Sequence, residues 1–189
     1  YPGKGDTAYV GMCELQVLDN TSPKYAKLHP TQYHGSAYGM FPAKRGHLKK
    51  PGEWNTQEVT VKGSTIKVVL NGETILDCDL AKVEKPMYNI KKFKGRTRKE
   101  GYFGFAGHGA AVAFRNVRIK DLGGHRWRPL FDGKSLKGWS KPDNDSMKVV
   151  NGEIHLSPHP QVFYLHEQNF TDFILELEAK MPTKDFDSG

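Results

Sequence analysis

From residue 57 to residue 80 the chain alternates polar and apolar side chains, interrupted only by two turn pairs. QEVTVK (57–62) and TIKVVL (65–70) flank Gly63-Ser64, and Asn71-Gly72 leads into ETILDCDL (73–80). A period of two sends successive side chains to opposite faces of a strand. Asn-Gly supplies the two positive-φ residues that a two-residue hairpin turn demands. The segment is therefore a β-meander with one face turned to a core.

The pattern recurs along the chain. MCELQVL (12–18) puts Cys13, Leu15 and Val17 on one face and Glu14, Gln16 and Leu18 on the other. GYFGFAG (101–107) and AAVAFRNVRIKDL (110–122) read as strands joined at His108-Gly109. MKVVNGEIHLS (147–157) is a hairpin about Asn151-Gly152, followed by strands in QVFYLHE (161–167) and DFILELEAKM (172–181). No segment carries a convincing amphipathic helical period. Many short strands with regular turn signals predict an all-β fold, an antiparallel sandwich of two sheets. With 189 residues, one such domain is the expectation.

Charge and cysteine content narrow the function classes. The net charge of +7 is concentrated in KKFKGRTRK (91–99) and KRGHLKK (44–50). Nucleic-acid binding couples such charge to stacking aromatics or a reading helix, and only Phe93 lies within the first run, so solvated loops are expected. Cys13 and Cys78 stand far apart, each within an apolar strand pattern, and are expected as free thiols. No run is long enough to span a bilayer, and YPGKGDTAYVG at the start is not a signal peptide, so any export signal would lie outside this sequence.

One phrase sits where it should not. RPLFDGKSLKGW (128–139) reads as the opening of a domain: an apolar anchor, an Asp-Gly turn, then a Leu and a Trp for the core. LFDGKSLKGW (130–139), VVNGEIHL (149–156), FTDFILELEAKM (170–181) and DSG (187–189) resemble the first half of the DUF1080 family of 3-keto-disaccharide hydrolase domains. ELQVLDN (14–20), YHGSAYG (33–39), KPGEWNTQEVTVKGSTIKVVLNG (50–72) and GYFGFAGHGAAVAFRNVRIKDL (101–122) resemble its second half. The resemblance implies a concanavalin A-like jelly roll, here in reversed order. Residues 1–124 correspond to the family's C-terminal part and 128–189 to its N-terminal part, joined at about 125–127. Two accounts fit, a circular permutant or a window across two tandem copies. The two parts are expected to close one sandwich across 1–189, since domain termini often lie close together; exchange between chains into a strand-swapped homodimer is the alternative. A few residues of one strand would be missing after Gly189.

The resemblance also directs attention to a concave face. Glu14 is the first candidate for proton transfer, with Gln16 on the same strand face and Asp19 at the strand end as substrate-binding residues; Asp19 could instead cap a turn. His34, in a Gly-rich loop, suits proton transfer near neutral pH, and Tyr38 beside it could pack against a sugar ring. His108 occupies a turn where the family commonly has Asp-His-Gly; Gly107 replaces the acid, so the group that would orient the ring is missing. In KPGEWN, Glu53 is a candidate acid or base, Lys50 and Asn55 are candidate sugar ligands, and Trp54 is expected in the core. Arg115, out of phase with the apolar positions of its strand, faces away from the core and could reach the same groove. No cofactor is expected. A divalent cation is possible, with ligands from Glu14, His29, His34, His155 and His159, though no HExxH or CxxC spacing occurs. P-loop, dinucleotide and GxSxG signatures are likewise missing.

Such residues leave two routes to glycoside cleavage open, a pair of flanking carboxyl groups or elimination from a sugar oxidised at C3, and the resemblance implies the second. A ketone at C3 acidifies the hydrogen at C2; a base removes it, the group at C1 departs with help from an acid, and water then adds. The alternative is a lectin-like carbohydrate-binding module without catalysis, and a more distant one is a basic interaction protein. The resemblance implies a carbohydrate ligand and a secreted or periplasmic setting.

Overall fold

The computed structural model describes residues 1–3, 6, 9–140, 146–157, 162–183 and 187–188, with the backbone alone for 162–165 and 187–188. Twelve strands form in chain order: β1 (Val17–Leu18), β2 (Trp54–Lys62), β3 (Thr65–Leu70), β4 (Glu73–Asp79), β5 (Gly104–Gly107) and β6 (Val112–Asp121), then β7 (Arg128–Pro129), β8 (Met147–Val150), β9 (Glu153–Leu156), β10 (Val162–Leu165), β11 (Phe173–Lys180) and β12 (Asp187–Ser188). Helical structure among the described residues is confined to short 3₁₀ turns.

Eight strands make one antiparallel sheet in the order β4-β3-β2-β11-β6-β9-β8, with β7 also on β6. β11 lies between β2 and β6, pairing Leu175 with Val59 on one side and with Ile119 on the other. Strands from both sides of residues 125–127 thus share one ladder. Both Asn-Gly turns take positive φ at their two residues, 50° and 92° at Asn71-Gly72 and 50° and 80° at Asn151-Gly152, as the sequence predicts for type I′ hairpins.

A second layer covers the sheet's inner face. It consists of the β5-β10 pair, the β1-β12 pair, and the segment 14–18 bonded to 34–38. The fold is the expected antiparallel β-sandwich of jelly-roll type. Val59 and Val68, Leu175 and Leu177, and Phe114 and Ile154 project inward from the large sheet, each at most 6% exposed. Phe105 stacks between Phe114 at 3.9 Å and Trp139 at 5.1 Å. Trp139 also donates its indole N–H to Leu130 O at 2.8 Å. Leu130, Phe131 and Trp139 are all buried, so the LFDGKSLKGW phrase anchors the core shared by both layers.

Two sequence expectations are modified or sharpened. Trp54, expected in the core, is half-buried on the outer face of the large sheet, because Asn55, Gln57 and Val59 hold the inward phase of β2. Phe93, by contrast, is fully buried, so the basic run 91–99 offers no aromatic for stacking bases. Cys13 and Cys78 are free thiols. Burial is the main cause pushing them up, to about 11 and about 12, which keeps both protonated and unreactive at neutral pH. No helix of the described residues is long and apolar enough to cross a membrane.

Candidate functional site

The site grows from one short antiparallel pairing. Gln16 N–H donates to Ser36 O at 3.1 Å, Gly35 N–H to Gln16 O at 2.7 Å, and Tyr38 N–H to Glu14 O at 2.9 Å. Those bonds lay the YHGSAYG loop along the ELQVL strand and bring Tyr38 beside Glu14. Gly39, at φ 69°, makes the approach possible: a Cβ there would stand 2.9 Å from Phe93 Cζ, inside van der Waals contact.

Three tyrosines gather at this point. Tyr9 lies 5.2 Å from Tyr38 and 4.8 Å from Tyr88, ring centre to ring centre, with Phe93 beneath at 6.0 Å from Tyr9. Gln32 Nε2 donates to the Tyr38 hydroxyl at 2.9 Å, and the same phenol is hydrogen-bonded to the Tyr88 side chain. Burial raises the Tyr38 phenol to about 12; the Gln32 bond lowers it, while Tyr88 and the nearby Glu14 charge raise it further. Burial, Tyr88 and Glu14 likewise raise Tyr9. Tyr9 and Tyr38 therefore keep their phenolic hydrogens at neutral pH, beside the Glu14 side chain. Lys92, from the basic loop, holds its ammonium 5.3 Å from the Tyr88 ring.

His34 serves a different space. It is 2% exposed, and its Nδ1 accepts the Leu18 N–H at 3.4 Å, which assigns the imidazole hydrogen to Nε2. Burial pushes its pKa down to about 4, against a smaller opposite effect of the Gln57 amide, so the ring is neutral at physiological pH. It lines a cavity of about 150 Å³ between the two layers, whose wall also includes Glu14 and Gln57.

The remaining candidates spread to other parts of the molecule. Asp19 is buried, and its Oδ1 accepts from Thr21 N–H at 2.9 Å and Thr21 hydroxyl at 2.6 Å, the arrangement of an Asx turn. Gln16 is buried in the strand beyond Glu14. Asn55, 1% exposed, accepts from Lys49 N–H and from Asn71 Nδ2, both at 2.9 Å, tying β2 to the β3–β4 turn. Lys50 and Glu53 are exposed at the entry to β2, with Glu53 Oε2 accepting the Lys50 N–H at 3.0 Å. His108 is exposed at the β5–β6 turn.

Arg115 stands on the outer face of the large sheet, away from the cavity. Its Nε bonds Glu178 at 2.8 Å and its guanidinium covers the Trp54 ring at 4.1 Å, with Lys180 over the same ring at 4.3 Å. A bulge in β6 at Asn116, φ 53°, turns that residue toward Glu178 as well. The outward phase that sequence assigns to Arg115 is correct, but it leads to the opposite side of the sheet from Glu14.

Among the described residues no group of three or more His, Cys, Asp or Glu side chains is arranged to hold a metal ion. His155 pairs with Glu153 at 2.8 Å and His29 with Thr31 at 2.8 Å; His159 lies outside the described residues. Sequence reasoning missed Tyr9, Tyr88 and Gln32. They come from three loops, and no spacing in the sequence links them.

The chain matches the family described as the 3-keto-alpha-glucoside-1,2-lyase-like domain over residues 2–120 and 126–189. It is similar to a 3-keto-disaccharide hydrolase of Bacteroides thetaiotaomicron, 33% identical over 131 residues. That alignment takes in 60% of this chain and 45% of the relative, so the chain spans less than half of the relative's length.

Proposed function

The chain belongs to the 3-keto-alpha-glucoside-1,2-lyase-like domain family, and from that premise we propose that it cleaves 3-keto-glycosides at the Glu14–Tyr38 cluster. Glu14 removes the hydrogen at C2, which the C3 ketone acidifies, and the electron pair passes to the ketone oxygen as an enolate. The enolate collapses to a C1–C2 double bond as the C1–oxygen bond breaks, and the departing oxygen takes a proton. Water then adds, hydroxyl to C1 and hydrogen to C2. Tyr38 suits the proton-donating role, because its hydroxyl already accepts from Gln32 and keeps its own hydrogen at neutral pH. Tyr9 and Tyr88, stacked on one another, offer ring edges and hydroxyls to the sugar.

The observation that carries this reading is the backbone pairing of Glu14 with Tyr38, whose phenol feels the Glu14 charge and keeps its hydrogen. His34, neutral and turned to the cavity, is not assigned a proton-transfer step. Family membership is also the ground for a secreted or periplasmic setting.

The test is release of reducing sugar from a 3-keto-disaccharide, run beside the unoxidised sugar, with Glu14→Gln and Tyr38→Phe. Turnover of the keto form alone is expected, with a loss on the order of 10²–10⁴-fold for Glu14→Gln and deuterium entering C2 in heavy water. Full activity in Glu14→Gln would remove that residue from the mechanism. Saturable binding of the keto sugar without any turnover would make the domain a lectin-like module instead.

A further inference from the structure

The two layers of the sandwich do not pack flush. Packed protein interiors hold few voids larger than a water molecule, yet a cavity of about 150 Å³ lies between the layers. Glu14 belongs both to its wall and to the tyrosine cluster. A substrate whose reacting carbon is at Glu14 therefore stands at the edge of this space.

The pairing register shows how the wall changes along its length. Gln57, Val59 and Val61 are successive inward positions of β2, paired with Leu177, Leu175 and Phe173 of β11, and all of them line the cavity. At about 3.3 Å per residue, Gln57 and Val61 lie about 13 Å apart. The Gln57 end is polar. Its amide is hydrogen-bonded to His34, and His34 opens the segment 34–38 that pairs with Glu14's own segment 14–18. Beyond Gln57 the sheet offers valine, leucine and phenylalanine, with Val17 and Phe105 from the covering layer. Ser64 and Thr65, at the β2–β3 turn, and the half-buried Arg96 add polar groups elsewhere.

That gradient specifies which part of a substrate lies where. A buried water needs two to four polar partners, and the middle of the wall has none to offer. A second sugar would bury hydroxyls there without hydrogen bonds, at a cost. An apolar group gains from the same surface, and an apolar cavity of about 150 Å³ is large enough for a benzene ring. The polar end, with Glu14, meets the oxidised sugar; the apolar stretch meets what is attached at its C1.

We infer that the inter-layer cavity is the leaving-group pocket of the cleavage site, and that the favoured substrates are 3-keto-glycosides of apolar, ring-sized alcohols. This rests on the cleavage assigned to Glu14 above and extends it to the group released. Val59 and Leu175 set the preference.

The experiment compares kcat/KM of the whole chain for methyl and benzyl 3-keto-glucosides, whose departing alcohols are of similar acidity. Burial of the ring is expected to favour the benzyl substrate by on the order of tenfold to a hundredfold. Val59→Phe, which fills the aliphatic stretch, should bring that ratio toward one. Should the variant fail to fold, the native chain still gives a reading: benzyl alcohol should inhibit cleavage of the methyl substrate competitively, and methanol at the same concentration should not. Equal kcat/KM for the two substrates, a benzyl preference that survives in folded Val59→Phe, or no inhibition by benzyl alcohol would each overturn the pocket while leaving cleavage at Glu14 in place. Cleavage of neither substrate would overturn the cleavage reading itself, and this inference with it.

Discussion

Acid should weaken this fold through His34. In the unfolded chain the ring is in water and titrates at its ordinary 6.5; in the folded protein burial holds it down to about 4. Between those values the unfolded chain binds a proton that the folded chain refuses. Stability therefore rises with pH across the window and is lost as pH falls from 6.5 toward 4. At about 1.4 kcal/mol per unit, the difference amounts to about 3 kcal/mol when fully expressed and about 2 kcal/mol between pH 7 and pH 5. Set against the total stability of a typical domain, about 5–15 kcal/mol, that is a large loss. His166 is also lowered by burial and acts in the same direction, so the His34 share must be isolated. Urea midpoints at pH 7 and pH 5 would be compared for the native chain and His34→Gln, whose side chain is neutral at both. The native chain is expected to lose about 2 kcal/mol more than the variant. Equal losses would refute the reasoning. Should the variant fail to fold, an imidazole midpoint near 6.5 for His34 in the native chain, read by NMR, would refute it equally well.

Leu175→Ala, at a 3%-exposed position of the central strand β11, should cost about 2–5 kcal/mol in urea unfolding, the range for emptying a core position. Asn55→Ala should cost about 1–3 kcal/mol by leaving the Lys49 N–H and the Asn71 amide without their shared acceptor; a neutral result would mean water replaces it. We propose, from the place of β11 between β2 and β6, that residues 1–124 and 128–189 close one sandwich within a single chain. Light scattering on the purified protein should then give the monomer mass, whereas a dimer that persists on dilution would point to strand exchange between chains.

The strands, their turns and the sandwich class were legible in the sequence because they depend on local rules. Period-two alternation decides which side chains of a strand can face a core, and Asn71-Gly72 and Asn151-Gly152 carry the φ values their hairpins need wherever they occur. Glu14 and Tyr38 stand out as candidates only when their short motifs are read together with the family resemblance. The order in which strands pair is not local. β11 enters between β2 and β6 only because its inward phenylalanine and leucines complete a core that neither neighbour closes alone. The same long-range packing decided the rest of the site. It sent Arg115 to the far face, carried Trp54 out of the core, turned His34 into a cavity, and drew Tyr9 and Tyr88 over Phe93 to join Tyr38 and Glu14. Alternation assigns a residue to one of two faces; only the packed layers determine what lies across from it.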